Sequence, residues 1–507
     1  MSLAILFSRA QCGITAPQVT VEVHLSNGLP SLSIVGLPET AVKESKERIR
    51  AALLNSRFEY PTRRITINLA PADLPKQGGR YDLAMALGVL AASGQIPRAS
   101  LDQYEFLGEL ALSGELRPIH GTLPAALQVR EAGRSLVIPM ANGEEGALIR
   151  DLTLYPARHL LDVCAHLSGA SPLSPCAHPS STALETSASY PDLADVSAQH
   201  HAKRALEIAA AGGHALLMIG PPGTGKTMLA RRLPGILPPM SEEEALETAA
   251  IASVSGLGFS PQQWARRPFR APHHTASGPA LVGGGSVPAP GEISLAHNGV
   301  LFLDELPEFN RHTLEVLREP LESGHITISR AARQAEFPAR FQLIAAMNPC
   351  PCGFHGDPRG RCRCTSEQIQ RYRARISGPL MDRIDMHIEV PPVPPRQWRD
   401  TQREPLASST DVRKRVIRAR HIQLQRAGKA NHLMTSPEIE RFCRLETNGQ
   451  HILESACERL GLSARAYHRI LRVARTIADL EEAEAIATNH LSEALSYRRL
   501  DRKTGYY

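Results

Sequence analysis

The feature that most constrains this chain is a glycine-rich stretch at residues 220–227, called the phosphate loop below. It fits the pattern G-x-x-x-x-G-K-[ST] at every fixed position, and it lies between an apolar run at 215–219 and a helix-compatible run at 228–233. In such a strand–loop–helix unit, successive backbone N–H groups surround a phosphate, and the start of the helix adds positive potential. The residues predicted to bind phosphate are Gly220, Pro221, Pro222, Gly223, Thr224, Gly225, Lys226 and Thr227.

A second element supports this interpretation. An apolar run at 299–303 ends in an acidic pair, Asp304 and Glu305, and the carboxyl ends of strands in an open α/β sheet are where ligands bind. Lys226 is expected to reach the outer phosphates, while Thr227 and Asp304 would hold Mg²⁺. Glu305 would polarise the attacking water, since nucleotide hydrolysis needs a positioned nucleophile. Alone, the loop could be a chance match and the acidic pair a solvated strand end, but together they favour an ATPase.

Length and composition limit the class of protein. The chain has 507 residues, too many for one hydrophobic core, so two or three domains are expected. Hydrophobic residues make up 42% and charged residues 21%, which is typical of a globular protein. No apolar run approaches the roughly 20 residues of a membrane span, and the N-terminus lacks the regions of a signal peptide. We therefore expect a cytoplasmic protein with reduced cysteines and no membrane partner.

Composition divides the chain into four segments. Residues 1–168 read as a mixed α/β domain without a phosphate loop of its own. Residues 169–190 are rich in Ser, Pro, Ala and Thr, which predicts a linker, although an ordered surface loop is an equal alternative. Residues 191–395 carry the phosphate loop and end in a proline cluster, and residues 396–507 read as a helical domain.

Hydrophobic periodicity predicts particular elements in the first segment. Residues 19–25 alternate between apolar and polar, and the Asn-Gly pair at 27–28 before the apolar run at 32–34 predicts a β-hairpin. The apolar spacing at 82–90 predicts a helix.

The phosphate loop and the acidic pair together resemble the AAA+ class of ATPases. Residues 290–300, which precede the acidic pair, resemble the magnesium-chelatase-like branch of that class, which also includes the minichromosome maintenance helicases. With its first domain, the whole chain resembles the YifB/ComM family of magnesium-chelatase-like or competence proteins. The resemblance implies an α/β multidomain fold with an AAA+ P-loop α/β core at 191–395 and a helical C-terminal lid at 396–507.

The resemblance also implies catalytic roles for three further residues. Asn348 matches a polar sensor beside the acidic pair, Arg383 matches an arginine finger, and Arg465 matches a second sensor on the lid. A finger supplied by a neighbouring subunit stabilises charge on the transferring phosphoryl group, which implies a ring, by resemblance a hexamer. Without the resemblance, Asn348 would end a strand and Arg465 would belong to a solvated basic helix face. Arg383 would be a structural arginine paired to Asp382 or Asp385.

Residues 1–168 resemble, more weakly, the proteolytic domain of Lon proteases, an S5-type α/β fold. The matching residues are 75–79, 108–119 and 137–139. Lon enzymes use a serine nucleophile and a lysine base, but those positions hold Arg80 and Leu123 in this chain. Without a nucleophile and a base, proteolysis is excluded, and the fold would serve as a scaffold or a nucleic-acid-binding module.

Four cysteines cluster shortly after Asn348 and suggest a metal site. Four thiols within fifteen residues of a chain with reduced cysteines predict a structural Zn²⁺ that staples a polar loop. The spacing is C-x-C rather than the commoner C-x-x-C, so four free thiols are the alternative. The candidate ligands are Cys350, Cys352, Cys362 and Cys364.

Two insertions bear on the partner of the chain. Two short runs flank residues 331–332 and predict a hairpin with Arg330 and Arg333 near its tip. By resemblance, this hairpin points into the ring channel, where the two arginines would contact DNA phosphates without reading bases. His273 and His274 lie in a second insertion and could ligate a metal, although loop or core histidines are commoner.

The function implied by the resemblance is ATP-driven movement of a ring along single-stranded or branched DNA. For the YifB/ComM family this means helicase and branch-migration activity in homologous recombination, including natural transformation. Two alternatives are the ATPase subunit of a metal chelatase and an ATPase that remodels proteins. The residues by themselves predict only hydrolysis of ATP with Mg²⁺ and a basic hairpin.

Overall fold

A computed structural model of the chain describes residues 2–178, 190–255, 258–285, 288–330, 333–357, 359–393 and 408–498. The side chains of Thr40, Ala41, Arg330 and Arg333 are outside this description. The described residues form two α/β domains, built on a seven-stranded and a five-stranded sheet, followed by a helical region. Among them, no helix combines the length and the apolar character needed to cross a membrane.

The strands of the first domain are β1 (Leu3–Arg9), β2 (Gln18–Ser26), β3 (Ser31–Val35), β4 (Arg64–Ala70), β5 (Tyr104–Phe106), β6 (Glu109–Leu110), β7 (Leu116–Arg117), β8 (Ser135–Pro139) and β9 (Leu154–Ala157). Seven of them form one sheet in the order β3-β4-β2-β1-β5-β8-β9, and β6 pairs with β7. The alternation at 19–25 buries every second side chain of β2, as expected for a strand with one face on a core.

The hairpin predicted between β2 and β3 is wrong. β4 lies between these strands, antiparallel to β2 and parallel to β3. Gly28 has a φ of +150°, far from the left-handed conformation that a two-residue Asn-Gly turn requires. Ile65, Ile67 and Leu69 of β4 are fully buried, and this apolar face competes successfully with β3 for the place beside β2.

The helices of the first domain are α1 (Thr40–Asn55), α2 (Asp82–Ser93), α3 (Thr122–Glu131), α4 (Gly143–Gly146) and α5 (Leu160–Leu167). The helix predicted at 82–90 corresponds to α2, which packs on β1 and β2 and is buried along almost its whole length. A helix that is apolar on all sides belongs in the interior of a domain, so α2 is the centre of the first core.

The strands of the second domain are β10 (Leu216–Ile219), β11 (Phe269–Arg270), β12 (Gly283–Gly284), β13 (Ala289–Pro290), β14 (Val300–Leu303), β15 (His325–Arg330), β16 (Arg333–Pro338), β17 (Gln342–Met347) and β18 (Met386–Glu389). Five form a parallel sheet in the order β11-β14-β17-β10-β18. Every residue of β10, β14 and β17 is buried, as in parallel sheets that are covered on both faces. The carboxyl ends of these three strands share one edge.

The helices of the second domain are α6 (His200–Gly212), α7 (Lys226–Ala230), α8 (Leu233–Ile236), α9 (Glu242–Val254), α10 (Gly278–Val282), α11 (Glu292–Leu295), α12 (Arg311–Glu315), α13 (Pro320–Ser323), α14 (Ser366–Arg373) and α15 (Gly378–Met381). The helical region contains α16 (Ser409–Ala427), α17 (Ser436–Phe442), α18 (Thr447–Leu460), α19 (Ala464–Leu480) and α20 (Thr488–Ser496). Ile470 and Ile477 of α19 join the same apolar cluster as β10 residues, so this region and the second domain share a core.

The two α/β domains contact each other directly. α3 packs against α9, and Leu123, Ala249 and Trp264 belong to one apolar cluster that spans both domains. Ile14, in a turn of the first domain, packs against the apolar cluster that contains Phe337 of β16. The first domain is therefore in contact with both a helix and the hairpin of the second.

The described part of the predicted linker 169–190 runs along the first domain. Leu173 N–H donates to His166 Nδ1 at 3.0 Å, and Cys176 N–H donates to the carbonyl oxygen of Leu154 at 2.8 Å. Residues 179–189 lie outside the described residues.

Candidate functional site

The phosphate loop connects β10 to α7 at the shared edge of the parallel sheet. Gly223 and Gly225 have left-handed φ values of +77° and +89°, and the space around both positions is open. Backbone conformation, rather than crowding, therefore requires glycine at these two positions. Such a backbone suits a loop whose N–H groups must curl around an anion.

Lys226 is only 8% exposed, and its ammonium group contacts three acceptors. Nζ donates to the carbonyl oxygens of Gly220 and Pro221 at 2.6 and 2.9 Å, and to Asn348 Oδ1 at 3.3 Å. Burial lowers the pKa of Lys226, while the charges of the nearby acidic pair act in the opposite direction. A partly desolvated cation held by loop carbonyls is placed to exchange those partners for phosphate oxygens. Asn348, at the end of β17, is therefore brought to the phosphate loop.

Thr227 and Asp304 have the chemistry and the proximity that a magnesium ion requires. Thr227 Oγ1 donates to Asp304 Oδ2 at 2.6 Å. The other carboxylate oxygen accepts the N–H of Glu305 at 2.9 Å, which fixes the orientation of the carboxylate. Hydroxyl and carboxylate oxygens are the ligands that Mg²⁺ prefers, so this pair fits the predicted cofactor.

Glu305 follows in a left-handed backbone conformation with φ +52°, and its side chain is 53% exposed. His274 Nδ1 lies 3.4 Å from Glu305 Oε2, and the His274 ring packs edge-on against Phe309. His273 contacts Thr275 instead. Spacing could not reveal the proximity of His274 to Glu305, because the two residues follow different strands, β11 and β14, whose pairing is not local.

Arg383 is buried, with 7% of its side chain exposed. Its Nη2 pairs with Glu322 Oε1 at 2.5 Å, and its Nη1 donates to the carbonyl oxygen of Pro379 at 2.7 Å. The carboxylate partner is thus Glu322, rather than the Asp382 or Asp385 that the sequence offered. The finger role of Arg383 stays a prediction.

Arg465 and Arg469 lie one turn apart on α19 but differ in environment. Arg465 is exposed and makes no hydrogen bond or ion pair with the described residues. Arg469 pairs with the Asp385 carboxylate and donates to the carbonyl oxygen of Arg383 at 3.1 Å. Burial would raise the pKa of Asp385, but the charge of Arg469, with His214 beside the carboxylate, holds that pKa below its usual range. Arg469 therefore fastens the helical region to the sheet domain instead of belonging to a solvated face.

The four cysteines are arranged as the ligands of one metal ion would be. Their sulfur atoms all lie within 4.8 Å of one another, and no other cluster of three or more His, Cys, Asp or Glu ligands occurs among the described residues. Cys350 Sγ is 3.4 Å from Cys352 Sγ and 3.8 Å from Cys362 Sγ. The backbone N–H groups of Arg363 and Phe354 lower the pKa of Cys352 to about 6, which favours the thiolate that metals bind.

β15 and β16 form an antiparallel hairpin in which Arg330 is paired with Arg333 next to the tip. Ile326, Ile328 and Phe337 of the hairpin are buried in the apolar cluster beneath it. The side chains of Arg330 and Arg333 lie outside the described residues, so only the position of their backbone is known.

Arg80 and Leu123, which stand where Lon enzymes have the catalytic serine and lysine, lie inside the first domain. Arg80 is 6% exposed and donates to the carbonyl oxygens of Arg9 and His120, and Leu123 is fully buried. Neither side chain offers a nucleophile or a general base.

Three family descriptions match successive parts of the chain. Residues 192–398 match "Magnesium chelatase, subunit ChlI", and residues 21–142 match "Subunit ChlI of Mg-chelatase". Residues 407–498 match "Magnesium chelatase, subunit ChlI C-terminal". These matches fall on the second α/β domain, the first α/β domain and the helical region, respectively.

Individual relatives are similar over nearly the whole chain. It is 53% identical to "Competence protein ComM" of Haemophilus influenzae, over 99% of this chain and 98% of that protein. It is equally identical, with the same coverage, to "Uncharacterized protein YifB" of Escherichia coli strain K12. The "Magnesium-chelatase 38 kDa subunit" of Rhodobacter capsulatus is 25% identical over 63% of this chain and 91% of that protein. With its AAA+-like α/β domain and helical C-terminal region, the chain belongs to the YifB/ComM family of magnesium-chelatase-like proteins.

Proposed function

We propose that this protein is an ATP-dependent motor that assembles as a ring and moves along DNA. The observation that carries the proposal is the meeting of Lys226, Thr227, Asp304 and Asn348 at one edge of a parallel sheet. Each comes from a different strand end or from the phosphate loop, and together they provide the groups that ATP hydrolysis needs.

The chemistry follows from these side chains. The phosphate loop binds the triphosphate through backbone N–H groups, and Lys226 leaves its carbonyl partners for the outer phosphates. Mg²⁺, held by Thr227 and Asp304, would supply positive charge to the phosphate oxygens. Glu305 polarises the attacking water, and Asn348 orients it. Glu305 is exposed enough to meet a water, and His274 is its neighbour in this conformation.

A ring is proposed because a finger arginine acts on the nucleotide of a neighbouring subunit. Arg383 would reach the nucleotide of a neighbouring subunit, and the exposed Arg465 would contact a nucleotide from the lid. The Arg383–Glu322 ion pair must open before Arg383 can act as a finger. A hexamer is the assembly we propose, by resemblance to the family.

The proposed partner of the ring is DNA, which would be held at the tip of the β15–β16 hairpin. Arg330 and Arg333 would contact backbone phosphates, giving a grip that ignores sequence and weakens with salt. One relative's name is "Competence protein ComM", in accord with helicase and branch-migration activity during recombination and natural transformation. A motor with this role would work in the cytoplasm, on single-stranded or branched DNA.

Zinc is proposed as the ligand of the four cysteines. Four thiolates at roughly 2.3 Å from a tetrahedral Zn²⁺ lie about 3.8 Å apart, close to the sulfur distances given above. The first domain is proposed to keep a Lon-like fold as a scaffold without protease activity. Its contacts with α9 and with the hairpin support a mechanical role.

An unwinding assay tests the proposed motor. The purified chain should separate forked and four-way DNA when ATP and Mg²⁺ are both present, and it should fail when either is omitted. Lys226→Ala should bind the same DNA without separating it. Strand separation that persists without ATP, or that Lys226→Ala retains, would contradict the proposal.

An ATPase subunit of a metal chelatase is the second candidate, because all three family descriptions name magnesium chelatase. Its hydrolysis would respond to a protein partner that inserts Mg²⁺ into a porphyrin. A protein-remodelling ATPase would likewise respond to protein rather than to DNA. ATP hydrolysis that DNA leaves unchanged, together with failed unwinding, would favour these two readings.

A further inference from the structure

The four cysteines lie next to the candidate nucleotide site, and Gly353 between them approaches both Pro222 and Asn348. We infer that residues 350–364, called the cysteine loop, position the nucleotide site, so that metal binding by the four cysteines raises affinity for ATP. This inference rests on the proposed zinc and ATP sites, and it assigns Gly353 a positioning role. Residue 358 lies outside the described part of the loop.

The cysteine loop touches the phosphate loop through Gly353. This residue has φ +83°, and a Cβ added there would lie 2.7 Å from Pro222 Cδ. The same Cβ would lie 3.9 Å from Asn348 Cγ. The backbone at Gly353 thus lies close to the side chains of two residues of the candidate nucleotide site.

The metal ligands fix the chain close to this contact. Cys350 is fully buried and follows Asn348 by two residues, and its carbonyl oxygen accepts the N–H of Gly353 at 2.9 Å. Arg373 of α14 donates to the carbonyl oxygen of Pro349 at 3.3 Å. A metal bound between Cys350 and the far end of the loop therefore holds Asn348 and Gly353 in one rigid unit.

A loop of this composition needs the metal to keep its shape. The segment between the two cysteine pairs is polar, and its described hydrogen bonds and ion pair are short-range: Arg361 pairs with Asp357 and lies over the Phe354 ring at 4.2 Å from its centroid. Metal ligation would tie the two ends of this segment together. Coupling between two sites is reciprocal, so ATP must also alter the environment of the metal.

Two glycines of the cysteine loop provide a matched experiment. Gly353 and Gly356 have nearly equal φ values, +83° and +80°, but only Gly353 faces Pro222, since the space around Gly356 is open. Gly353→Ala and Gly356→Ala therefore impose the same backbone strain, and only the first pushes on the phosphate loop. The experiment would measure bound zinc in both variants and then compare their affinities for a fluorescent ATP analogue in the absence of DNA.

Both variants should retain one zinc per chain. Gly353→Ala should lose at least about tenfold in affinity for the analogue, while Gly356→Ala stays within about twofold of the natural chain. Equal affinities in the two variants would overturn the inference. A natural chain that binds no zinc would overturn both the zinc proposal and this inference, whereas DNA-independent hydrolysis would challenge the motor alone.

A second measurement uses the natural chain, in case Gly353→Ala fails to fold or to hold metal. Co²⁺ substituted at the four thiolates gives visible absorption bands that report the ligand geometry. A non-hydrolysable ATP analogue should shift these bands with a midpoint equal to its own dissociation constant. Bands that do not respond to a saturating analogue would overturn the inference.

Discussion

The two α/β domains use buried charge in different ways. In the first domain, fully buried Glu105 accepts hydrogen bonds from Arg9 at 2.6 and 2.7 Å and from Arg134 at 3.1 Å, so the three charged groups are paired with one another. In the second domain, Lys226 is held by loop carbonyls and Glu305 is half exposed, so both can change partners. Buried charged groups whose hydrogen bonds are all made within the domain thus stabilise the fold. Charged groups at the carboxyl ends of parallel strands can exchange their partners for a ligand.

The second domain also contains a buried charge with a complete set of partners, at Asp385. Asp385 pairs with Arg469 and accepts the N–H of Ala215 at 2.9 Å, and it joins the helical region to β10. Position along the strand therefore decides the role, rather than the domain. Asp385 precedes β18, at the edge opposite to the one that carries the phosphate loop.

The largest expected effect is on stability, from breaking the closed network. Glu105→Gln leaves buried Arg9 and part-buried Arg134 facing a neutral side chain in place of the carboxylate, which should lower the free energy of unfolding by about 3–5 kcal/mol. Urea denaturation of the intact chain measures this loss. The control is Glu109→Gln, whose carboxylate lies 3.6 Å from Arg117 with both side chains at least 34% exposed, and it should cost less than about 1 kcal/mol. Similar losses in the two variants would contradict the comparison.

The next largest effect is expected on the rate of ATP hydrolysis, and it distinguishes two buried lysines. Lys226→Ala should reduce ATP hydrolysis by about 10²–10³-fold, or about 2.7–4 kcal/mol, because it removes a cation that faces the phosphates. Lys76 is also fully buried, but it donates to the carbonyl oxygen of Pro71 within the first domain. Lys76→Met should leave the hydrolysis rate per folded protein unchanged. A rate assay corrected for folded fraction would refute the assignment if Lys226→Ala kept its turnover.

A smaller effect on the free energy of unfolding is expected when the pH is lowered from 7.5 to 5.5. Burial, followed by the charge of Arg498, lowers the pKa of His387 to about 3, below the value of about 6.5 in an unfolded chain. The unfolded state then binds the extra proton, so stability is complete above pH 6.5 and falls by up to about 1.4 kcal/mol per pH unit down to pH 3. Thermal unfolding at pH 7.5 and 5.5 should show a smaller difference for His387→Gln. An unchanged difference would contradict the role given to burial.

The smallest effect on stability is expected at exposed Arg465. Arg465→Ala should change the free energy of unfolding by less than about 0.5 kcal/mol, since it removes no hydrogen bond or ion pair with the described residues. Its hydrolysis rate should nevertheless fall. Arg469→Ala should instead lower the free energy of unfolding by about 3–5 kcal/mol, because it leaves buried Asp385 without its cationic partner. Calorimetry and a rate assay on both variants separate the two roles.

The meeting of Lys226, Thr227, Asp304 and Asn348 could be predicted from the sequence because the patterns behind it are local. A strand before the phosphate loop, a strand before Asp304 and a strand before Asn348 each have their own pattern, and parallel strands bring their carboxyl ends together. The insertion of β4 between β2 and β3 could not be predicted, since both partners of β4 are chosen by packing. The Arg383–Glu322 and Arg469–Asp385 pairs join residues far apart in the chain, and no spacing rule reaches that distance.

The central claim is that this nucleotide site drives movement on DNA, and hydrolysis measured with and without forked DNA tests it most directly. The account predicts that DNA stimulates hydrolysis by the natural chain, and that raising the salt concentration weakens this stimulation. Arg330→Ala combined with Arg333→Ala should keep the basal rate and lose the stimulation. A rate that forked DNA leaves unchanged, or a stimulation that survives the loss of both arginines, would contradict the account.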